Sequence, residues 1–172
     1  MNITSEDITI IDIFSQEQCE YIINKLDNNL ELMERGGITK YYRKVFKSND
    51  ISTYLTSKIV LPEYINNFKV KGFNDHIRFS KYIPGQEFDI HRDSIYTNKK
   101  NYRSFLTLNI FLNDNFKGGE TVFLTPKKIT VKPKLGCGVL FYGQNYHKGN
   151  IVTEGFKYLL RTDVMIDYKL TF

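Results

Sequence analysis

Residues 76–93, which read HIRFSKYIPGQEFDIHRD, contain the pattern that decides the fold of this chain. Two short segments rich in β-branched and aromatic residues, 76–83 and 87–91, are separated by Pro84 and Gly85, a dipeptide that marks a turn. The same alternation of short apolar segments and turn residues continues toward the end of the chain. The other candidate strands are residues 104–113, 120–124, 128–131, 138–142, 150–152 and 156–167. Short strands separated in this way predict an antiparallel jelly roll.

The first third of the chain carries helix signals instead. Ser15 and Gln18 have the spacing of a capping box, and the apolar residues that follow them recur with a helical period. A second helix is predicted over residues 49–58. Residues 35–47, between the two helices, are predicted to form a turn and an exposed basic strand.

The predicted fold class is therefore mainly β (α+β). We expect residues 68–172 to form a double-stranded β-helix (jelly-roll) barrel, with the N-terminal helices of residues 1–67 packed against its outside as a helical support region. A chain of 172 residues fits one domain, and no repeat or low-complexity linker divides it. Residues 1–172 are therefore expected to form a single domain.

Composition and charge exclude several classes of protein. Hydrophobic residues make up 41% of the chain and charged residues 25%, which is typical of a globular rather than a disordered protein. No stretch approaches the ~20 apolar residues that span a bilayer, and the acidic N-terminus lacks the basic region of a secretory signal. The two cysteines are too few for a disulfide framework, so a cytoplasmic location without membrane contact is expected. The net charge of +5 permits an acidic peptide or a nucleic acid as partner.

The three histidines limit the chemistry that imidazole groups can perform in this protein. His91 and Asp93 form an H-x-D pattern, and on a strand both side chains point to the same face. An imidazole beside a carboxylate suits a divalent first-row metal, and a second histidine completes a ligand set that leaves open positions on Fe(II). By itself the pattern is weak, because a histidine paired with a neighbouring carboxylate on a strand gives the same three letters.

Three segments together resemble the prolyl 4-hydroxylase branch of the Fe(II)/2-oxoglutarate-dependent dioxygenases. They are YIPGQEFDIHRD at residues 82–93, GGETVF at residues 118–123 and HKGNIVTEGFKYLLRTD at residues 147–163. In that family an H-x-D motif is followed by a distal histidine and then by a basic residue, in the order and at the spacing seen here. The resemblance implies that His91, Asp93 and His147 are the metal ligands and the catalytic set, with Fe(II) as the metal.

The same resemblance implies where the cosubstrates bind. 2-Oxoglutarate and O2 would bind at the iron, with ascorbate as the reductant. The buried far carboxylate of 2-oxoglutarate needs a paired cation. Lys157 matches the basic residue of the family, but Arg161 competes for this role, because on a regular strand it shares the same face. Tyr82 matches a tyrosine that hydrogen-bonds the cosubstrate, and Thr107 and Asn109 are further cofactor-binding candidates.

The function implied is hydroxylation of a substrate C–H bond, with a prolyl residue of a peptide or protein as the expected target and succinate and CO2 as products. One alternative is an AlkB-like nucleic-acid demethylase, which the basic charge and the aromatic residues allow. Those enzymes carry two arginines after the distal histidine, whereas this chain offers only Arg161. The other alternative is a non-catalytic barrel that binds a metal or a ligand, against which the complete ligand set and Lys157 argue.

Residues 94–103, SIYTNKKNYR, connect the proximal metal ligands to the next long strand. The segment carries Lys99, Lys100, Arg103 and two tyrosines but no acidic residue. A polar connection beside a metal site favours a mobile lid that covers the substrate. The alternative is a solvated hairpin loop.

Overall fold

The computed structural model describes residues 2–4 and 6–168. The described residues form two helices and fifteen strands, and the strands pair antiparallel. The helices are α1 (Gln16–Leu26) and α2 (Asn49–Lys58). The strands in chain order are β1 (Ile8–Asp12), β2 (Glu31–Arg35), β3 (Thr39–Lys47), β4 (Tyr64–Ile65), β5 (Phe68–Phe73), β6 (His76–Tyr82), β7 (Phe88–His91), β8 (Tyr102–Phe111), β9 (Lys117–Gly118), β10 (Thr121–Phe123), β11 (Ile129–Val131), β12 (Cys137–Tyr142), β13 (His147–Gly149), β14 (Val152–Glu154) and β15 (Lys157–Asp167).

A large sheet of nine strands forms one layer of the fold. Its order is β1-β12-β8-β15-β6-β3-β2, and β5, paired with β4, joins it beside the C-terminal end of β15. The long strand β15 pairs with β8 on one side and with β6 on the other. This register places Arg161 opposite both Asn109 on β8 and Arg78 on β6.

Both faces of the large sheet are covered. On β8, Leu106, Leu108 and Ile110 belong to a core that also contains Cys19 of α1 and Leu55 of α2. The residues between them on β8 point to the opposite face, because side chains alternate along a strand. A strand buried on both faces has a nearly continuous apolar sequence, which explains why β8 lacks a clean polar alternation.

A second sheet, with the order β11-β10-β13-β7, lies against the other face of the large sheet, and β14 and β9 form a separate pair. Phe111, Phe123, Val139, Phe141 and Leu159 form the core between the two layers. The prediction of a mainly β jelly roll with supporting N-terminal helices is confirmed. The strand pairing of the described residues gives two opposed layers of a sandwich and not a closed barrel.

Residues 1–67, predicted as a helical support region, also contribute strands. β1 and β2 lie at the two ends of the main strand order, and β3 pairs directly with β6. The segment predicted as an exposed basic strand is therefore an inner strand, and its Thr39 and Tyr41 are buried. The boundary at residue 68 does not separate helices from strands.

The two predicted helices are present. The Ser15 hydroxyl accepts the backbone N–H of Gln18, and the Gln18 side chain accepts the backbone N–H of Ser15, as a capping box requires. No helix in the described part of the chain is long and apolar enough to cross a membrane. Residues 1, 5 and 169–172 of the predicted domain lie outside the described residues.

Candidate functional site

Three side chains meet where β7 pairs with β13. His91 lies opposite His147 in the register, and the centroids of their rings are 4.2 Å apart. The Asp93 carboxylate follows directly after β7, with Oδ1 3.6 Å from Nε2 of His91 and Oδ2 3.9 Å from Nε2 of His147. The three ligand atoms lie within 4.8 Å of one another. All three residues can therefore bind one metal ion.

Backbone carbonyls orient both imidazole rings. Nδ1 of His91 lies 2.7 Å from the carbonyl oxygen of Asp89, and Nδ1 of His147 lies 2.8 Å from that of Asn145. Because a carbonyl oxygen only accepts, Nδ1 carries the proton in each ring and the lone pair of Nε2 faces Asp93. Burial lowers the pKa of His147 to about 4, so this ring is neutral at pH 7. The tautomer of both rings and the neutral state of His147 are those of a metal ligand.

Two further side chains hold the carboxylate of Asp93. Nη1 of Arg161 lies 2.7 Å from Oδ1, and the Thr107 hydroxyl donates a hydrogen bond of 2.6 Å to Oδ2. Burial acts to raise the pKa of Asp93, but Arg161, the histidines and Thr107 together hold it below its ordinary value. Asp93 is therefore ionised and oriented. Thr107, predicted as a cofactor-binding residue, contacts this carboxylate in the structure.

Lys157, at the start of β15, lies in the same interior and is only 4% exposed. Its Nζ donates a hydrogen bond of 2.7 Å to the carbonyl oxygen of Gly119, and the ring centroids of Tyr82 and Phe111 lie 5.2 and 5.6 Å from Nζ. No described carboxylate lies within 4.0 Å of this nitrogen, and burial lowers the pKa of Lys157 to about 8. An ammonium has three N–H donors, so the group can bind an anion with those that remain.

The Gly118-Gly119 turn, part of the GGETVF segment, shapes the surroundings of Lys157. A Cβ atom at Gly119 would lie 2.9 Å from a ring carbon of Phe116 and 3.0 Å from Cδ of Lys157. Both glycines also have positive φ, +74° and +68°, which favours glycine. Sequence reasoning did not identify that the Gly119 carbonyl binds the lysine.

The remaining predicted cosubstrate residues are Tyr82, Asn109 and Arg161. They line an inner cavity of about 60 Å³, which is also lined by the three metal-ligand candidates and Lys157. Tyr82 lies opposite Lys157 in the register, and burial raises the pKa of its phenol, which therefore stays protonated. Oδ1 of Asn109 and Nε of Arg161 are buried without a hydrogen-bond partner in the described residues. Since buried polar atoms are normally paired, these two atoms indicate a site for a polar ligand.

An outer cleft of about 180 Å³ leads to His91 and Asp93 and contains residues that sequence reasoning did not identify. The cleft-lining residues from the β2–β3 hairpin, β6 and the β7 region include Met33, Arg35, Tyr41, Arg43, Arg78, Phe88 and Arg92. The basic character of residues 35–47 was the sequence feature that could have indicated these cleft residues. It did not show that this segment lies beside the metal-ligand candidates.

Residues 94–103 form a hydrogen-bonded hairpin turn. The Asn98 side chain accepts the backbone N–H groups of Lys100 and Tyr102. Of this fully described segment, only Ser94 lines either the inner cavity or the outer cleft. The structure therefore corresponds to the hairpin alternative and places the predicted lid residues away from the site.

Comparisons with known proteins agree with this geometry. The model of the 2OG-Fe(II) oxygenase superfamily matches residues 77–162, half of the chain. No curated protein matches.

Solved structures of oxygenases share the fold. The viral collagen prolyl hydroxylase of Paramecium Bursaria Chlorella virus-1, in its 2OG complex, has a TM-score of 0.67 at 20% identity over 92% of this chain and 95% of that chain. A Pseudomonas putida prolyl-4-hydroxylase has a TM-score of 0.67 at 13% identity over 91% of both chains. The carbocyclase SnoK from nogalamycin biosynthesis has a TM-score of 0.62 at 12% identity over 95% of this chain and 80% of that chain. At these identities the likeness shows the fold alone.

Proposed function

The chain belongs to the 2OG-Fe(II) oxygenase superfamily, and from this premise we propose that it hydroxylates a prolyl residue of a peptide or protein. It is a 2-oxoglutarate-dependent dioxygenase, prolyl hydroxylase-like in its fold. Iron(II), 2-oxoglutarate and O2 supply the oxidising chemistry when bound: one oxygen atom enters a substrate C–H bond as hydroxyl, the other enters succinate, and CO2 is released. The protein supplies binding, orientation and exclusion of water.

The metal-ligand candidates fit iron(II). Two imidazoles with their Nε2 lone pairs directed inward and one ionised carboxylate are the donors that a non-haem iron centre uses, and they leave coordination positions open. Arg161 and Thr107 hold the two oxygens of Asp93, so the carboxylate is oriented before a metal binds. We propose His91, Asp93 and His147 as the iron ligands.

The buried ammonium of Lys157, which no carboxylate of the described residues neutralises, is the single observation that carries the proposal. A triad alone would also suit a protein that binds a metal without turnover. A lysine buried without a carboxylate is costly, and it lies in the cavity that contains the triad, where an anion would offset that cost. Arg161 is already paired with Asp93 and Asp163. This difference favours Lys157 over Arg161 as the partner of the far carboxylate of 2-oxoglutarate.

Contacts for the rest of 2-oxoglutarate are proposed from the unpaired atoms of the cavity. The protonated phenol of Tyr82 lies beside Lys157, and Asn109 and Arg161 have buried polar atoms without partners in the described structure. Thr107 would act through Asp93 instead of through the cosubstrate. These side chains would orient 2-oxoglutarate between the iron ligands and Lys157.

The prolyl substrate is supported by two observations. Two of the similar solved structures are named as prolyl hydroxylases. Met33, Tyr41 and Phe88 give the outer cleft an apolar wall suited to a pyrrolidine ring. We further propose ascorbate as the reductant and the cytoplasm as the location, which the two free cysteines support.

The test supplies the protein with Fe(II), 2-oxoglutarate and ascorbate, together with either proline-containing peptides or methylated oligonucleotides. We expect peptide-dependent succinate formation and the addition of one oxygen atom to proline, observed by mass spectrometry. Demethylation of an oligonucleotide without peptide oxidation would show the nucleic-acid alternative to be right. Tight metal binding without succinate formation from any substrate would identify a non-catalytic binding protein.

A further inference from the structure

The β2–β3 hairpin forms one wall of the outer cleft. The hairpin is fixed to the start of the second sheet by the backbone N–H of Lys40, which donates to the carbonyl of Glu87 at 3.1 Å. The Thr39 hydroxyl accepts the backbone N–H of Asp89 at 2.9 Å. These bonds hold the side chains of the hairpin beside His91 and Asp93. The cleft is therefore built into the fold, next to the proposed iron ligands.

Positive charge dominates the lining of this cleft. Its five arginines are Arg35, Arg43, Arg78, Arg92 and Arg161. The carboxylate of Asp163 lies behind Arg78 and Arg161, at 3.4 and 3.3 Å. These two arginines are therefore at least partly neutralised.

The remaining three arginines lack such partners. Within residues 2–4 and 6–168, no carboxylate lies within 4.0 Å of Arg35, Arg43 or Arg92. The acidic residues that line the cleft are Glu34, paired with Lys40 at 2.7 Å, and Asp93, one of the proposed iron ligands. The cleft therefore has an excess of guanidinium groups that no described carboxylate neutralises, and such groups bind carboxylates in a bidentate manner.

The aromatic side chains of the cleft wall pack against one another. The Tyr41 ring stacks on Tyr82 at 5.1 Å, and the Phe88 ring lies 5.2 Å from Tyr41 and 4.0 Å from His91. Because these rings pack against one another, their faces are partly covered, and the wall suits a small aliphatic ring. A nucleobase needs a free aromatic face on which to stack, so the arrangement favours a peptide over a nucleic acid.

From this arrangement we infer that the substrate is an acidic peptide segment, in which the reacting prolyl residue is flanked by aspartate or glutamate. The inference rests on the proposed function and specifies its substrate. The prolyl ring contacts Met33 and Phe88, while neighbouring carboxylates bind Arg35, Arg43 and Arg92. An extended chain advances by about 3.3 Å per residue and the arginines line the same cleft as the apolar wall, so the acidic residues lie close to the proline in the substrate sequence.

The test uses three peptides that differ only beside one proline, where they carry aspartate, asparagine or lysine. Succinate formation and proline oxidation are measured for each, and binding is measured separately by the fluorescence anisotropy of labelled peptides. We expect the aspartate peptide to bind about tenfold more tightly than the asparagine peptide, the factor that one charge-assisted hydrogen bond in a partly exposed site gives. The lysine peptide should bind more weakly still, and added salt should reduce the difference.

Arginine variants connect this preference to the cleft. Arg35→Gln and Arg92→Gln alter exposed side chains, so both proteins are expected to fold. Each substitution should reduce the preference for the aspartate peptide over the asparagine peptide from about tenfold to about two- or threefold. Changing the arginine and the aspartate separately and together forms a double-mutant cycle, which isolates the contact between the two charges. Arg103→Gln is the matched control, because that guanidinium lies 4.1 Å from the Tyr168 ring and outside the cleft. It should leave the preference intact.

The outcomes separate this inference from the proposed function. Oxidation of all three peptides with equal efficiency would contradict the acidic substrate and leave prolyl hydroxylation standing. Iron-dependent conversion of 2-oxoglutarate without oxidation of any peptide would contradict both. An effect of Arg103→Gln equal to that of Arg35→Gln would show that the overall positive charge of the protein, and not the cleft, produces the preference. Binding of a methylated oligonucleotide in place of the peptides would also overturn the inference.

Discussion

Replacing Lys157 with Met tests whether this residue pairs the far carboxylate of 2-oxoglutarate. Methionine keeps a long apolar side chain in the pocket between Tyr82 and Phe111 but removes the charge. Losing a buried, charge-assisted contact costs about 2–5 kcal/mol. The dissociation constant for 2-oxoglutarate should therefore rise by a factor between about 30 and several thousand.

The fold of the Lys157→Met variant should survive. Replacing a buried ion pair by apolar side chains of similar volume is often neutral or stabilises a protein by about 1–4 kcal/mol, and removing the charge of a buried ammonium acts in the same direction because its desolvation cost is removed. Leaving the Gly119 carbonyl without its donor costs about 1–3 kcal/mol. Since these contributions oppose each other, the ligand-free variant should unfold within a few degrees of the wild-type protein.

The assay is thermal unfolding of the Zn²⁺-loaded protein, in which the metal is redox-inert, with and without 2-oxoglutarate. At a ligand concentration 100 times the wild-type dissociation constant, binding stabilises the wild-type protein by about 2.7 kcal/mol. At the same concentration, a variant that binds 30-fold more weakly gains only about 0.9 kcal/mol. For a protein of this size each kcal/mol corresponds to about 2–4 °C, so the difference is measurable.

Arg161→Gln is the comparison that can refute the assignment. Arg161 contacts Asp93 and Asp163, so its loss should weaken metal binding more than 2-oxoglutarate binding at saturating metal. If Lys157→Met keeps the ligand-induced stabilisation and Arg161→Gln loses it, the two roles must be exchanged. Retention by both variants would show that neither cation binds the far carboxylate.

Three other perturbations test the site. Because burial lowers the pKa of Lys157 to about 8, the affinity for 2-oxoglutarate should be constant below pH 8 and weaken about tenfold per pH unit above it. Calorimetric titration of the wild-type protein and of Lys157→Met measures this affinity. A flat wild-type profile would contradict the prediction. Asp93→Ala should abolish succinate formation while leaving the circular dichroism spectrum unchanged; wild-type turnover would rule out Asp93 as a ligand. Thr107→Val removes the 2.6 Å hydrogen bond to Asp93 and should weaken metal binding by about 10- to 100-fold, measured by competition with a chelator; unchanged affinity would show that Arg161 alone positions the carboxylate.

Local patterns in the sequence predicted most of the secondary structure. The predicted strand at residues 76–83 corresponds to β6, and the predicted helix at residues 49–58 corresponds to α2. Turn residues and capping boxes act over a few positions, so they can be read without knowledge of the fold. β1 and β5 were missed, because pairing with distant strands decides whether such short apolar segments become strands.

Residue patterns alone did not predict the full set of metal ligands. The resemblance to a family was needed to complete it. The H-x-D pattern placed His91 and Asp93 on one face of a strand, because side chains alternate along a strand. No periodicity connects His147 to them. The β7–β13 register brings the two histidines together, and this pairing joins segments far apart in the chain.

The sequence determined which residues are available for chemistry, while the tertiary structure decided what each of them contacts. Lys157 and Arg161 lie on the same strand, and Arg161 competed with Lys157 for one role until packing gave Arg161 two carboxylates and left Lys157 with none within 4.0 Å among the described residues. The basic β2–β3 hairpin likewise became a wall of the cleft only through its bonds to the β7 segment. Charge and hydrogen bonding act over a few ångströms of space, and the chain brings distant residues within that range only when the sheets pair and pack.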